Sequence, residues 1–231
     1  MTPAHPRSGQ DGGRTEERSV TVAAGSVTLD GILGWPKDPR GIVVFAHGSG
    51  SGRFSPRNNF VARVLQEAGF ATLLIDLLTE EEAEDQRYVF DIDLLADRLL
   101  SATEWLQQEP QTKGLQIGYF GASTGAGAAL QAAARDKSAI TAIVSRGGRP
   151  DLASAYLPEV EAPTLLIVGG NDQPVIALNQ EAYNLLRCEK ELTIVPRATH
   201  LFEEPGALEM VAQLARNWFE RYLTRPRRMV A

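Results

Sequence analysis

The chain of 231 residues contains a single cysteine, Cys188. One thiol excludes an intramolecular disulfide framework and suits a reducing compartment. No run approaches the roughly 18 consecutive apolar residues that a membrane-crossing helix needs. Residues 1–18 are polar and rich in Gly and Pro, without the apolar stretch of a secretory signal. Basic residues are the minority: 23 Lys and Arg stand against 29 Asp and Glu, for a formal net charge of -6. That balance argues against a nucleic-acid partner, whose phosphates require a basic face. Also missing are His, Cys and carboxylate groups at metal-ligand spacing. The chain has neither the Gly-Lys-[Ser/Thr] ending of a P-loop nor a dinucleotide-type Gly-x-Gly-x-x-Gly followed by a suitably placed acid. The expectation is a cytoplasmic protein that needs no cofactor or metal and binds neither membrane nor nucleic acid.

What is present is an ordinary globular composition, 43% hydrophobic and 23% charged, on a length suited to one domain. Residues 1–18 read as a mobile tail, and 19–231 as the domain. Two short alternating segments, 19–24 and 27–34, predict a hairpin around Gly25. From residue 41 the pattern changes: 41–46 is a near-continuous apolar run, and further strands are predicted at 70–76, 115–120, 139–145, 162–168 and 191–196. Near-continuous apolar strands are expected where both faces of a sheet are covered. Helical patterns lie between them at 56–68, 91–108, 125–135 and 174–186, and a last amphipathic helix spans 208–223. This alternation predicts an α/β fold with a mostly parallel sheet and helices on both faces. In such folds ligands bind at the carboxyl ends of the strands.

The chemistry-bearing residues lie at those ends. Gly121-Ala122-Ser123-Thr124-Gly125 connects an apolar strand to a helix of small residues, the context that gives a Gly-x-Ser-x-Gly match its meaning. The turn strains the serine backbone, so its neighbours two positions away must be nearly side-chain-free. The competing reading is a glycine-rich turn whose serine caps the helix. A serine nucleophile needs a base, and there are three histidines. His5 falls in the tail, His47 opens an early glycine-rich loop, and His200 follows the last strand, where the triad histidine of this order belongs. The acid is expected at Asp172, in Gly169-Gly170-Asn171-Asp172, although an Asp before a helix start could serve only as its N-cap. Asp76 and Asp151 are the fallback acids. The oxyanion hole should use the N–H of Thr124 and that of Ser49, with Gly50 as the alternative.

Taken together, these segments are similar to the dienelactone-hydrolase-like branch of the α/β-hydrolases, and especially to small hydrolase domains found alone or fused to phosphoribosyltransferases. The resemblance is carried by Ala46-His47-Gly48-Ser49-Gly50-Ser51, Asp76-Leu77-Leu78-Thr79, the Gly121–Gly127 segment, Ser145-Arg146-Gly147-Gly148-Arg149-Pro150-Asp151 and the Gly169 to Asp172 loop. It implies a three-layer, eight-stranded hydrolase without a separate lid domain, with Ser123, Asp172 and His200 as its triad. Dienelactone hydrolases proper use a cysteine nucleophile, whereas this chain has Ser123, which favours serine esterase chemistry on small esters or thioesters. Acyl transfer, amide cleavage and a non-catalytic binding scaffold are the alternatives.

Weaker signals complete the reading. His47, Gly48, Gly50, Arg53 and Arg146 could contact substrate, as could Arg149, since a guanidinium suits a carboxylate or phosphate. For the arginines a structural ion pair is the preferred alternative. The acidic run 80–85 reads as a solvated connector, Cys188 as an incidental thiol, and Trp35, Trp105 and Trp218 as core or interface aromatics.

Overall fold

A computed structural model describes residues 15–223. Apolar strands buried along their whole length form the centre of one eight-stranded sheet, in the order β1-β2-β4-β3-β5-β6-β7-β8. The strands are β1 (Glu16–Ala24), β2 (Val27–Trp35), β3 (Ile42–Ala46), β4 (Ala71–Ile75), β5 (Ile117–Ala122), β6 (Ile140–Arg146), β7 (Thr164–Gly169) and β8 (Lys190–Val195). The β1–β2 and β2–β4 pairings are antiparallel, and all others are parallel. Every residue of β3, β4 and β5 is buried, in keeping with strands covered on both faces.

β1 starts at Glu16, three residues earlier than the sequence pattern indicated. Its first four residues are exposed, yet they pair in register with β2 from Glu16 opposite Trp35. An edge strand solvated at one end carries no apolar alternation there, so its pattern resembles a tail. The rest of the expected tail, residues 1–14, and the Arg-rich end from 224 lie outside the described residues.

One layer contains α1 (Pro56–Glu67) and α7 (Ala207–Tyr222), which bury Val61, Leu65, Val211, Ala215 and Phe219 against Phe45, Phe120 and Val144 of the sheet. The opposite layer contains α4 (Ile92–Gln108), α5 (Thr124–Arg135) and α6 (Gln173–Leu185). Among the described residues, no helix is long and apolar enough to cross a membrane.

The acidic connector departs from expectation. It folds into two single-turn helices, α2 (Glu80–Ala83) and α3 (Gln86–Val89). Thr79 and Glu82 form a reciprocal capping box, and Asp85 accepts from the Arg87 N–H at 2.9 Å. The carboxylates sit in first turns and caps, where they meet unsatisfied N–H groups. Arg98 of α4 pins this connector: it is buried, donates to Ala24 O at 2.6 Å and reaches Glu82 Oε1 at 3.0 Å. Arg98→Met removes both anchors and leaves Glu82 partly buried without its cation. The expected loss is about 2–3 kcal/mol, at the lower end for breaking a buried pair because Glu82 keeps some solvent and its Thr79 contact. Chemical denaturation, together with limited proteolysis of segment 77–91, checks this.

Candidate active site

β5 runs into α5 through Ser123, whose backbone is held at φ 51°, ψ -123°. Positive φ is costly for a residue with a β-carbon, so the surroundings must enforce it. Its N–H donates to Arg146 O at 3.3 Å, and its carbonyl accepts from Ala126 N at 3.1 Å and Arg149 N at 3.0 Å. A β-carbon at Gly121 would sit 2.5 Å from Ala126 Cα, and one at Gly125 would sit 2.2 Å from Ala46 O and 2.4 Å from His47 O. The flanking glycines are therefore the only residues that let helix, strand and β3 loop meet here. Ser123 makes no side-chain cap to α5, so its hydroxyl is not spent on the helix.

The loop after β3 lies against this turn. A β-carbon at Gly48 would meet Ser123 Cβ at 2.9 Å. Gly50 adopts φ 66°, and Ser51 N closes the turn on Gly48 O at 3.3 Å. Thr124 opens α5, where the first N–H groups have no intrahelical acceptor. Thr124 and the segment Gly48-Ser49-Gly50 thus border one cavity beside the serine.

His47 borders both cavities of the cleft, and its ring is also held by backbone. It is buried; Nε2 accepts the Leu77 N–H at 2.9 Å, and Nδ1 lies 2.9 Å from Gly48 O. Accepting at Nε2 puts the ring proton on Nδ1, so both nitrogens are occupied by backbone and the ring staples the β3 loop to the β4 loop. Burial holds its pKa below the usual value, against smaller raising contributions from Gly48 O and Asp76.

Asp172 and His200 meet because the loops after β7 and β8 are sewn together. Gly170 N donates to Val195 O at 2.8 Å and Asn171 N to Ala198 O at 2.9 Å. A β-carbon at Gly169 would meet Ala198 O at 2.5 Å. Asp172 occupies the N-cap position of α6 but makes no cap bond; its Oδ2 lies 2.6 Å from His200 Nδ1. The carboxylate is largely shielded, at 13% side-chain exposure, while the imidazole is 38% exposed. Gly147, at φ 51°, packs under the ring: a β-carbon there would lie 3.4 Å from both Cε1 and Nδ1. Because Gly147 follows Arg146, whose carbonyl holds the Ser123 N–H, the ring and the serine share one support. No hydrogen bond directly joins Ser123 Oγ to His200.

The fallback acids are otherwise engaged. Asp76 takes both the backbone N–H and the guanidinium of Arg53, which also reaches Asp30 Oδ2 at 3.3 Å. Asp151 takes Arg149 through two bonds of 2.8 and 2.7 Å. Arg146 is buried, with Asn58 Oδ1 at 3.5 Å and its Nε and Nη1 without partners among the described residues. Burial and the nearby Arg57 charge push its pKa down to about 10. Half-buried Cys188 lies 3.8 Å from Thr164 Oγ1, with its thiol pKa raised by burial.

A cavity of about 110 Å³ opens beside the serine turn, bounded there by Gly48, Ser49 and Thr124 and beyond by Leu78, Ala83, Val89 and Leu95. A larger cavity of about 250 Å³ adjoins it and shares His47, Ser51, Leu78 and Ala83. The larger volume does not reach the serine turn; the smaller one reaches it at Thr124. Sequence reading missed its apolar wall. The periodicity of Leu95 marked it as a buried helix position, but nothing marked a cavity beside it.

The dienelactone hydrolase family model matches residues 29–224. Proteins from two strains of Mycobacterium tuberculosis, provisionally named as phosphoribosyl transferases, are 60% identical over 210 residues. The match covers 91% of this chain and 47% of theirs, so the chain spans about half the length of these relatives. The crystal structure of a dienelactone hydrolase from Anabaena variabilis is 60% identical, superposes with a TM-score of 0.88, and the match covers 90% of this chain and 99% of that one. The esterase domain of a Rhodothermus marinus protein, 18% identical with a TM-score of 0.73 and covering 90% of this chain and 99% of its own, shares the fold.

Two outcomes follow from this geometry. Gly125→Ala drives a methyl group into two backbone carbonyls, and should cost about 3 kcal/mol or more in stability, or prevent folding; thermal unfolding reads it. The buried His47 resists protonation that the unfolded chain accepts near pH 6.5. Its stabilising contribution is therefore complete above that pH and declines as pH falls below it. His47→Gln, which keeps an acceptor for Leu77 N–H, should flatten the fall in unfolding free energy between about pH 7 and 5, by at most about 1.4 kcal/mol per pH unit. Denaturant titrations across that range test it, and an unchanged slope contradicts it.

Proposed function

The chain belongs to the dienelactone hydrolase family and is a hydrolase, and from that premise we propose that it cleaves small carboxylic esters and thioesters through an acyl-serine intermediate. The observation that carries this reading is the Asp172 carboxylate, which contacts His200 Nδ1 at 2.6 Å instead of capping its own helix. With Nδ1–H donated to the carboxylate, Nε2 is the nitrogen left to act as base. Ser123 Oγ attacks the acyl carbon as His200 Nε2 takes its proton. The negative charge that develops on the carbonyl oxygen is met by the Thr124 and Ser49 N–H groups, reinforced by the N-terminal end of α5. The tetrahedral intermediate collapses, and His200 returns the proton to the departing alcohol or thiol. Water then repeats the sequence on the acyl-serine, again giving up its proton to His200, and the carboxylic acid leaves. Asp172 keeps the imidazole in this tautomer and offsets its charge when protonated.

Support for serine rather than thiol chemistry comes from position: Ser123 holds the strained turn, and Cys188 lies elsewhere with a thiol that burial disfavours as a thiolate. Hydrolysis of p-nitrophenyl acetate by the purified chain is the direct assay. Ser123→Ala should lower kcat by about 10⁴-fold or more, and Asp172→Asn by about 10³- to 10⁴-fold with little loss of stability. Retention of a tenth of the activity by Ser123→Ala would contradict the proposal.

A further inference from the structure

We infer that the cleft is divided between an apolar chamber sized for a short acyl group and a hydrogen-bonding chamber for a polar, non-anionic alcohol, so that the substrates are short-acyl esters of alcohols bearing hydroxyl or ammonium groups. The inference rests on the esterase reading above and assigns the two sides of the scissile bond.

The smaller cavity runs from Thr124 and Ser49, whose amides are proposed above to meet the oxyanion, to Leu78, Ala83, Val89 and Leu95. Leu78 and Leu95 belong to the hydrophobic core, and none of the four side chains at that end offers a hydrogen bond to a polar group. About 110 Å³ accommodates roughly three or four groups of the size of a water molecule. The more apolar chamber suits the acyl chain, which stays bound through both half-reactions. The alcohol must leave after the first, and needs a route to solvent.

The larger cavity supplies that route. It shares the Ser51 and Leu78 walls with the acyl chamber and is rimmed by Asp30 and Glu80, both exposed. Its remaining polar lining is Thr28, Thr79, Asp76 and Arg53. Three carboxylates face one guanidinium, and that guanidinium is already held by Asp76 and Asp30. His47 on the shared wall is kept neutral by burial. The chamber therefore has acceptors in excess and negative potential, which favours groups that donate hydrogen bonds and disfavours a carboxylate or phosphate. Because the rim charges are solvated, the discrimination should be modest and salt-sensitive.

The α2–α3 connector and its cap build both chambers: Val89 borders the apolar one, Glu80 and Thr79 the polar one, and Ala83 lies between them. Val89→Ala lengthens the first chamber without touching the serine turn, and Glu80→Lys reverses one rim charge of the second.

The experiment measures kcat/KM at low ionic strength on two ester series. The acyl series is p-nitrophenyl acetate, butyrate and octanoate. The alcohol series is glycerol monoacetate (neutral hydroxyls), 2-(dimethylamino)ethyl acetate (an ammonium donor at neutral pH) and acetoxyacetate (an anion). Acetate should exceed octanoate at least about tenfold, and Val89→Ala should narrow that gap at least threefold. The hydroxyl and ammonium arms should both exceed acetoxyacetate, their order showing which donor the chamber prefers. Glu80→Lys should shrink the deficit of the anion by about threefold, the size expected when a surface charge is inverted. Octanoate turned over as fast as acetate overturns the acyl chamber. An anion accepted as readily as the neutral ester, or a deficit unmoved by Glu80→Lys, overturns the polar chamber. No turnover of any ester contradicts the hydrolase reading itself, whereas indiscriminate turnover contradicts this inference alone.

Discussion

A serine held at φ 51° is the constraint on which the rest of this molecule depends. Such backbone costs on the order of 1–3 kcal/mol and survives only where its surroundings leave no alternative. Here the compulsion comes from three directions: β6 holds the Ser123 N–H through the Arg146 carbonyl, the Arg149 and Ala126 N–H groups hold its carbonyl, and α5 presses on Gly121. The result projects the hydroxyl away from the helix it would otherwise cap. The same tightness brings the β3 loop against the turn at Gly125 and Gly48.

Asp172 and His200 are held by comparable means farther along the sheet. Backbone bonds from Gly170 to Val195 and from Asn171 to Ala198 join two loops from adjacent parallel strands, and Gly169 lets them approach. Asp172 gives up a helix cap worth about 1 kcal/mol in ordinary contexts and holds an imidazole instead. A local preference overridden in this way is what a functional site looks like in a chain that otherwise obeys its local rules.

Much of this architecture was legible in the amino-acid sequence. The alternating hairpin, the apolar runs and the helical spacings located the eight strands and the long helices to within a few residues, most directly for β3, β4 and β5, because a strand covered on both faces must be apolar throughout. The family was legible too, since the glycines at 121, 125, 127, 169 and 170 mark places where backbones nearly touch. Other features were hidden for physical reasons. The first residues of β1 are polar because they are solvated, although their backbones are paired. Glu80, Glu82 and Asp85 resembled a charged connector because caps and first-turn acids share its composition. The stapling role of His47 depends on where the Leu77 N–H points, which no spacing encodes. Nor does periodicity distinguish a side chain that meets another from one that borders a cavity, so the wall formed by Val89 and Leu95 emerged only in three dimensions.

The most direct measurement of the central claim is covalent labelling of the native chain with a fluorophosphonate, followed by peptide mass spectrometry. The account predicts one adduct, on the peptide containing Ser123, absent in Ser123→Ala and greatly slowed in His200→Ala. An adduct on another residue, or a native protein that stays unlabelled while folded, would contradict it.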